Sequence, residues 1–375
     1  MIASATPPEF DSALRLPRTA VLTDFSSPYQ VELFDEIERQ CPGRLLVCYL
    51  KSRSHMRNWS LPVFKHDAIL LDGEPSEIKR AEECFAHAEL AVFNFYDDAK
   101  ALRLIRQRAK LDTAFCFWGE QPGYYSKLVG RLRRMWMLRS LHERRAAIWG
   151  IGRLAVNAYR EEFGAFRSYV NLPYFSDLTR FQAIPSRRPQ TSGETFTILY
   201  SGALIRRKGV DLVAGAFARL AADQPQVRLR IMGGGPMERS LRRILTKCAA
   251  QVEFAGFKDW ASLPDEYVKA EVLCVPSRYD GWGLVVPEGL AAGLPVISTT
   301  QTGAAVEFLR HGENGWLVAA NDEDAIFRAM LEAVSLDPTR LAAMSAAARA
   351  TVAEHSLVNG ARRFIQAAES AASDW

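Results

Sequence analysis

Short β-rich apolar runs alternate with helix-length amphipathic stretches along this chain, and the alternation happens twice, on either side of a polar break. Parallel strands joined by crossover helices produce this rhythm, so it predicts an open α/β sheet in each half. In the first half the runs are Thr19 to Phe25, then Tyr29 to Arg39; Arg44 to Leu50; Ala68 to Leu71, then Pro75 to His87; Leu90 to Phe95, then Ala99 to Lys110; and Thr113 to Trp118. An apolar run from Ala146 to Val156 leads into Arg160 to Phe166, and Val170 to Phe175 follows. The stretch from Ala183 to Gly193, with Pro185, Ser186, Pro189 and Ser192, reads as a linker.

After the break the pattern is more regular. Strands are predicted at Thr195 to Ser201, Val227 to Met232, Val252 to Phe254, Val272 to Val275 and Val296 to Ser298. Helices are predicted at Gly209 to Ala222, Met237 to Cys248, Leu263 to Lys269 and Val286 to Ala292, with Ala-rich helices from Asp322 to Ser370. The chain has 375 residues, against roughly 150 for an average domain, which fits two lobes. The expected division is a first domain over 1–180, a linker over 181–193, a second domain over 194–350, and a C-terminal helix over 351–375 that packs back on the first. Two facing doubly wound units make a cleft for two substrates, because ligands bind outside the carboxyl ends of such strands.

Composition excludes several classes. Hydrophobic residues at 48% and charged residues at 24% are globular values, which argues against disorder and fibrous repeats. The six cysteines (Cys41, Cys48, Cys84, Cys116, Cys248, Cys274) form no C-x-x-C pair and have no close histidine, so neither a disulfide framework nor structural zinc is expected. Met1 to Pro17 has neither the basic start nor the apolar core of a signal peptide, and no window reaches the ~18 apolar residues of a membrane span. A cytoplasmic chain is expected, able to sit at the inner membrane face. Net charge is +4, but Lys127, Arg131, Arg133, Arg134, Arg139, Arg144 and Arg145 against Glu143 concentrate a local excess of six, leaving the rest at −2.

The chemistry should lie in turns after strands. Ile231-Met232-Gly233-Gly234-Gly235-Pro236 lets a backbone approach a flat or phosphorylated ligand, although a plain strand-to-helix turn explains it equally. It lacks the spacing of a nicotinamide fingerprint. Tyr200 to Gly209 places Arg206, Arg207 and Lys208 between a strand end and a helix start, where a diphosphate would fit; a solvated basic loop is the other reading. From Pro276 to Ile297 runs PSRYDGWGLVVPEGLAAGLPVI, in which Asp280 and Glu288 stand eight positions apart around a Gly-Trp-Gly turn. Carboxylates so placed can accept hydrogen bonds from vicinal hydroxyls of a sugar or ribose, while the amides of Gly283, Leu284 and Val285 could cradle a phosphate.

This last run resembles the E-x7-E signature of GT4 retaining glycosyltransferases, whose members have the GT-B fold of two facing Rossmann-like domains. Ser201-Gly202 with Arg207-Lys208-Gly209, Gly233 to Pro236, Val252 to Gly256, and Gly303, Glu307, Gly312 and Asn314-Gly315 support it in order. The resemblance covers about 195 to 335 well. It is looser in the first half, through Pro28-Tyr29-Gln30, Trp118-Gly119-Glu120 and Leu172-Pro173-Tyr174. It implies that Lys208, with Arg207 beside it, neutralises the leaving diphosphate of a nucleotide sugar, with Arg206 or Arg207 standing in for the arginine that relatives carry at Ala203, that Glu288 binds ribose and that Asp280 binds the donor sugar. Gly202, Gly281, Trp282, Gly283, Leu284 and Val285 would surround sugar and phosphate, with Gly234 and the Gly256-Phe257 turn near the base. No metal or other cofactor is implied.

Three departures stand out: Asp280 in place of the first glutamate, Ala203 where many relatives have arginine, and Ser26-Ser27-Pro28 in place of a Gly-Gly loop. Near the expected catalytic histidine stands Glu120, either an acceptor-side base or a structural group. No histidine is assigned chemistry; His55 and His66, with Arg53, Arg57 and Trp59, fall in a polar loop read as exposed or acceptor-binding.

Within the basic segment, Leu128, Leu132, Met135 and Trp136 fall at helical spacing, which suits either an anionic membrane surface or burial against the protein. Nucleic acid is disfavoured, since aromatic interleaving is confined to Trp136. The expected activity is transfer of a sugar from a nucleotide diphosphate sugar to a hydroxyl of a glycan or lipid-linked saccharide, with retained configuration, in cell-surface polysaccharide or related glycan synthesis. A nucleotide-sugar epimerase and a non-catalytic GT-B partner subunit are the rival readings.

Overall fold

A computed structural model describes residues 15–52, 63–123, 127–144, 146–183 and 195–375, the Lys127 side chain excepted. His55, Arg53, Arg57, Trp59, Arg145 and most of the expected linker lie outside the described residues. The first sheet has seven strands, β1 (Thr19–Phe25), β2 (Leu45–Lys51), β3 (Asp67–Leu70), β4 (Leu90–Phe93), β5 (Phe115–Gly119), β6 (Ile148–Gly150) and β7 (Tyr169–Asn171). They are all parallel, in the order β3-β2-β1-β4-β5-β6-β7. Its helices are α1 (Pro28–Gln40), α2 (Pro75–His87), α3 (Ala99–Leu111), α4 (Lys127–Met137), α5 (Arg139–Glu143) and α6 (Arg153–Phe163), and a short α7 (Thr179–Gln182) lies in the crossover to the second sheet.

The second sheet is built from β8 (Phe196–Ser201), β9 (Val227–Met232), β10 (Val252–Gly256), β11 (Val272–Val275), β12 (Val296–Thr299) and β13 (Gly315–Val318). It too is parallel, in the order β10-β9-β8-β11-β12-β13. Around it stand α8 (Val210–Asp223), α9 (Glu238–Ile244), α10 (Leu263–Tyr267), α11 (Val285–Ala291), α12 (Gly303–Phe308), α13 (Glu323–Val334) and α14 (Pro338–Thr351); α15 (Leu357–Ser373) ends the chain. Strand order reverses direction between β1 and β4 in one sheet and between β8 and β11 in the other, the points where a crevice opens beyond the strand ends.

Local chemistry explains the boundaries. Proline occupies the first turn of α1, α2 and α14, where its missing N–H costs no helical bond. Asp98, Asp322 and Ser356 cap α3, α13 and α15 through their side-chain oxygens. β11 and β12 are buried at every position, as expected of central parallel strands covered on both faces.

Two expectations need correction. The stretch from Met237 to Cys248 is not one helix: α9 stops at Ile244 and a 3-10 segment runs from Thr246 to Gln251. Thr246 Oγ1 turns back to the carbonyls of Arg242 and Arg243, both at 3.0 Å, and this competes with the helical ladder. The apolar run from Ala146 to Val156 divides into β6 and the first turn of α6.

The C-terminal helix leaves the second sheet and covers the first. Phe364 of α15 meets Phe34, Trp118 and Trp149 with ring centroids 6.5, 5.9 and 5.4 Å away, and Trp375 lies 5.1 Å from Phe115. The chain therefore crosses between the sheets twice. Where the crossings meet, buried His355 stacks on Phe175 at 4.3 Å and contacts Phe308 at 4.9 Å. Burial holds the His355 imidazole far down, at about 3, so it is neutral at physiological pH.

Candidate functional site

Three turns at the carboxyl edge of the second sheet are laced by backbone bonds. The Gly202 amide donates to Met232 O at 3.0 Å, the Leu204 amide to Gly234 O at 2.9 Å, and the Gly233 amide to Gly256 O at 2.8 Å. The predicted Gly202, Gly234 and Gly256 thus belong to one surface, and open space lies where side chains would stand at Gly234 and Gly256. Phe257 is 53% exposed beside them.

The cations after β8 sit in a 3-10 turn over Arg206 to Lys208. Gly209 follows with φ +70°, and a Cβ there would stand 2.1 Å from Pro276 O, so this turn needs glycine to pass under β11's exit. Buried Arg278 fixes the turn from below. Its guanidinium donates to both Asp211 carboxylate oxygens at 2.6 and 2.8 Å and to Arg206 O at 2.6 Å, while its amide donates to Arg207 O at 2.8 Å. Such a bidentate pair is directional as well as strong. Arg278 was quoted within the signature run without a role, because its partner Asp211 lies far away in sequence.

Lys208 Nζ forms an ion pair with Asp280, and Arg207 lies 3.8 Å from the same carboxylate while donating to Tyr279 O at 2.9 Å. Two of the predicted carriers of charge are therefore in contact, in the turns that follow the adjacent strands β8 and β11. Arg206 is exposed at the start of the turn.

Glu288 is 1% exposed, at the start of α11, and accepts a 2.9 Å hydrogen bond from Tyr267. Desolvation pushes its carboxyl up to about 8 despite that bond. Tyr267 is itself hydrogen-bonded with Ser201, which ties Glu288 to the end of β8. The amides of Gly283, Leu284 and Val285 lie at the beginning of α11, where helical N–H groups lack intrahelical acceptors.

The first lobe meets this surface directly. A Cβ at Gly281 would stand 2.0 Å from a Glu120 carboxylate oxygen, so only glycine admits Glu120 at this closeness. Tyr279 donates its hydroxyl to Gln121 O, and burial together with Glu120 and Asp280 nearby raises its phenol. Tyr159 in turn donates to Glu120 O at 2.8 Å. Tyr279, next to Asp280 in the signature run, joins the two lobes and was not singled out from sequence.

The Trp282 side chain is packed inside the protein. The indole is 1% exposed and turns toward Phe308 and His355, 5.7 and 6.1 Å away, against Gly152 of the first lobe. Only its backbone is left to the cleft. His66 departs from the exposed loop expected: it is buried between Tyr49, at 2.9 Å, and Asp35, at 2.6 Å. A cavity of about 380 Å³ at the opposite, amino-terminal edge of the second sheet is lined by Arg228, Arg230, Glu253 and Lys269, apart from all these residues.

Residues 184–351 match the family described as glycosyl transferases group 1. A GDP-mannose-dependent monoacylated α-(1-6)-phosphatidylinositol monomannoside mannosyltransferase of Corynebacterium glutamicum is 30% identical over 54% of this chain and 56% of its own length. A GDP-mannose-dependent α-(1-6)-phosphatidylinositol monomannoside mannosyltransferase of Mycobacterium tuberculosis is 27% identical over 76% of this chain and 77% of its own. The chain thus spans little more than half the length of the first relative and about three quarters of the second. Among solved structures, Anabaena HepE in complex with UDP and glucose superposes with a TM-score of 0.74 at 16% identity, over 94% of this chain and 100% of that one. The sucrose-phosphate synthase of Thermosynechococcus elongatus gives 0.72 at 19%, over 95% and 99%. Sequence match, motif order and two-sheet architecture agree: residues 184–351 match a glycosyl transferase family, and the two facing parallel sheets have the GT-B fold of the solved glycosyltransferase structures.

Proposed function

We propose that this protein transfers a sugar from a nucleotide diphosphate sugar to a hydroxyl of a glycan or lipid-linked saccharide, with retention and without a metal. The observation that carries the reading is the cluster of Arg207, Lys208 and Asp280 between β8 and β11, with Glu120 facing it from the other lobe. Lys208 and Arg207 would take up the charge of the departing diphosphate, the electrostatic work that otherwise falls to a bound cation. The bond from the anomeric carbon to the diphosphate oxygen breaks as one to the acceptor oxygen forms on the same face, and the acceptor proton passes to a phosphate oxygen. Asp280 orients the donor sugar and Glu288 the ribose. The backbone about Gly202, Gly281, Gly283, Leu284 and Val285 surrounds sugar and phosphate, and Gly234, Gly256 and Phe257 flank the base. Glu120 belongs to the acceptor side.

The same reading takes in α4. Leu128, Val129, Leu132, Met135 and Trp136 are 70, 65, 59, 41 and 63% exposed, so the alternative of burial against the protein is overturned for this stripe. An exposed strip of this kind on a helix beginning four residues after Gly123, and carrying exposed Arg131, suits an anionic membrane surface that presents a lipid-borne acceptor. Among the described residues no helix is long and apolar enough to cross a membrane.

A panel of UDP-, GDP- and ADP-sugars, scored by thermal shift and then by product formation with and without EDTA, tests the proposal. Turnover unaffected by EDTA with an acceptor present is expected. Epimerised sugar without acceptor would favour the epimerase reading, and stabilisation by none of the donors would favour the non-catalytic subunit.

A further inference from the structure

The nucleotide end of the site has a support from the other lobe that no motif announces. Trp260 stands four residues beyond Gly256, in the 3-10 turn from Trp260 to Ser262. Its indole Nε1 donates across the cleft to Glu32 of α1 at 3.3 Å. Arg180 of α7 stacks its guanidinium 4.8 Å above the same indole and also donates to Glu32. Glu32 is further fixed by the Asp177 amide at 2.9 Å, and Arg180 by Asp177 O at 3.0 Å. Glu32 and Arg180 are 24 and 22% exposed, shielded enough for their charges to act with little screening. Next to Arg180, Phe181 packs 5.1 Å from Tyr267, the residue that holds Glu288. The short helix α7 thus touches both the turn that follows Phe257 and the support of Glu288.

We infer that Glu32 is a positioning residue for nucleotide binding: through Trp260 and Arg180 it holds the turn after β10 in the shape that receives the base when the lobes are together. This rests on the donor reading given above. Glu32 is not among the residues assigned to sugar or diphosphate above, and the Lys208–Asp280 cluster stands in other turns, those after β8 and β11. Loss of the strut therefore weakens the grip on the nucleotide and leaves the chemical step alone.

Trp260→Phe removes the N–H while keeping a ring under Arg180, and Glu32→Ala removes the acceptor. Calorimetry with UDP, GDP and ADP, together with donor KM, acceptor KM, kcat and Tm, is the test. Expected for Trp260→Phe is about fivefold to tenfold weaker binding of the preferred nucleoside diphosphate and a matching rise in donor KM, with kcat and acceptor KM within about twofold, as for loss of ground-state binding. The double variant should be weaker than Glu32→Ala by less than the Trp260→Phe factor, since contacting residues couple. Wild-type nucleotide affinity in Trp260→Phe, or parallel losses of kcat, KM and Tm, overturns the inference; if that variant does not fold, Glu32→Ala is judged by the same readouts. A wild-type protein that binds none of the three nucleotides overturns the donor reading and this inference together. Binding by the wild type that is unchanged in both variants overturns the inference alone.

Discussion

The two sides of the cleft are held in different ways. On the second lobe the charged candidates are held by polar partners: Arg278 and Asp211 under the cationic turn, Tyr267 beside Glu288, Lys208 against Asp280. On the first lobe, Glu120 follows directly on the end of β5, its backbone carbonyl accepts from Tyr159 at 2.8 Å, and its carboxylate comes up against Gly281 of the other lobe. A donor presents a constant diphosphate and ribose, which reward a rigid receptor, whereas acceptors differ and are met by strand-end loops. Under the proposed function, the second lobe would then supply binding precision and the first lobe acceptor choice.

Breaking the donor side should have the largest effects. Lys208→Ala is expected to lower turnover by about a thousandfold or more, the upper range for losing one preorganised charge donor, with nearly unchanged Tm. Turnover within threefold of wild type would refute the leaving-group role. Arg278→Leu strands Asp211 under the turn and should cost about 3 kcal/mol of stability, as when a mostly buried pair loses one member. Urea unfolding measures it, and nucleotide affinity should fall in the same variant.

Smaller effects sharpen the comparison. Glu120→Gln is expected to reduce kcat about tenfold while leaving the dissociation constant for the nucleotide unchanged; a change confined to nucleotide binding would move Glu120 to the donor side.

For Glu288 the sign follows from its raised carboxyl. Folded, it keeps its proton up to about 8 against an ordinary 4.5, so its contribution to stability is full below the ordinary value, declines between the two, and is flat above. Glu288→Gln lacks that decline, and its Tm relative to wild type should rise by a few degrees from pH 5 to pH 8. A pH-independent difference would mean that Glu288 is ionised in the folded protein.

The least effect in solution belongs to α4. Leu132→Ser with Trp136→Ser should leave Tm within about 2 °C, as for exposed positions, yet reduce sedimentation with anionic vesicles severalfold.

Much of this was legible in the sequence. The central strands announce themselves as continuous apolar runs, and Lys208 and Asp280 as charges in the turns that follow strands. What could not be read was pairing over distance. Arg278 meets Asp211 and Glu32 meets Trp260 only after folding. The basic segment looked like a concentrated positive patch, but Asp97, Glu162 and Asp112 from other elements pair with Arg133, Arg134 and Arg144, so its charge is partly offset while the apolar stripe stays exposed. Trp282 belonged visibly to the signature, but its direction did not, since a tryptophan between two glycines can turn to either side of the chain.

The return of α15 to the first sheet has a consequence for biogenesis. During synthesis, the slot between Phe34, Trp118 and Trp149 stays open until Phe364 leaves the ribosome, after every strand of the second sheet has been made. The N-terminal lobe, usually the first unit to mature on a nascent chain, is here the one that must wait.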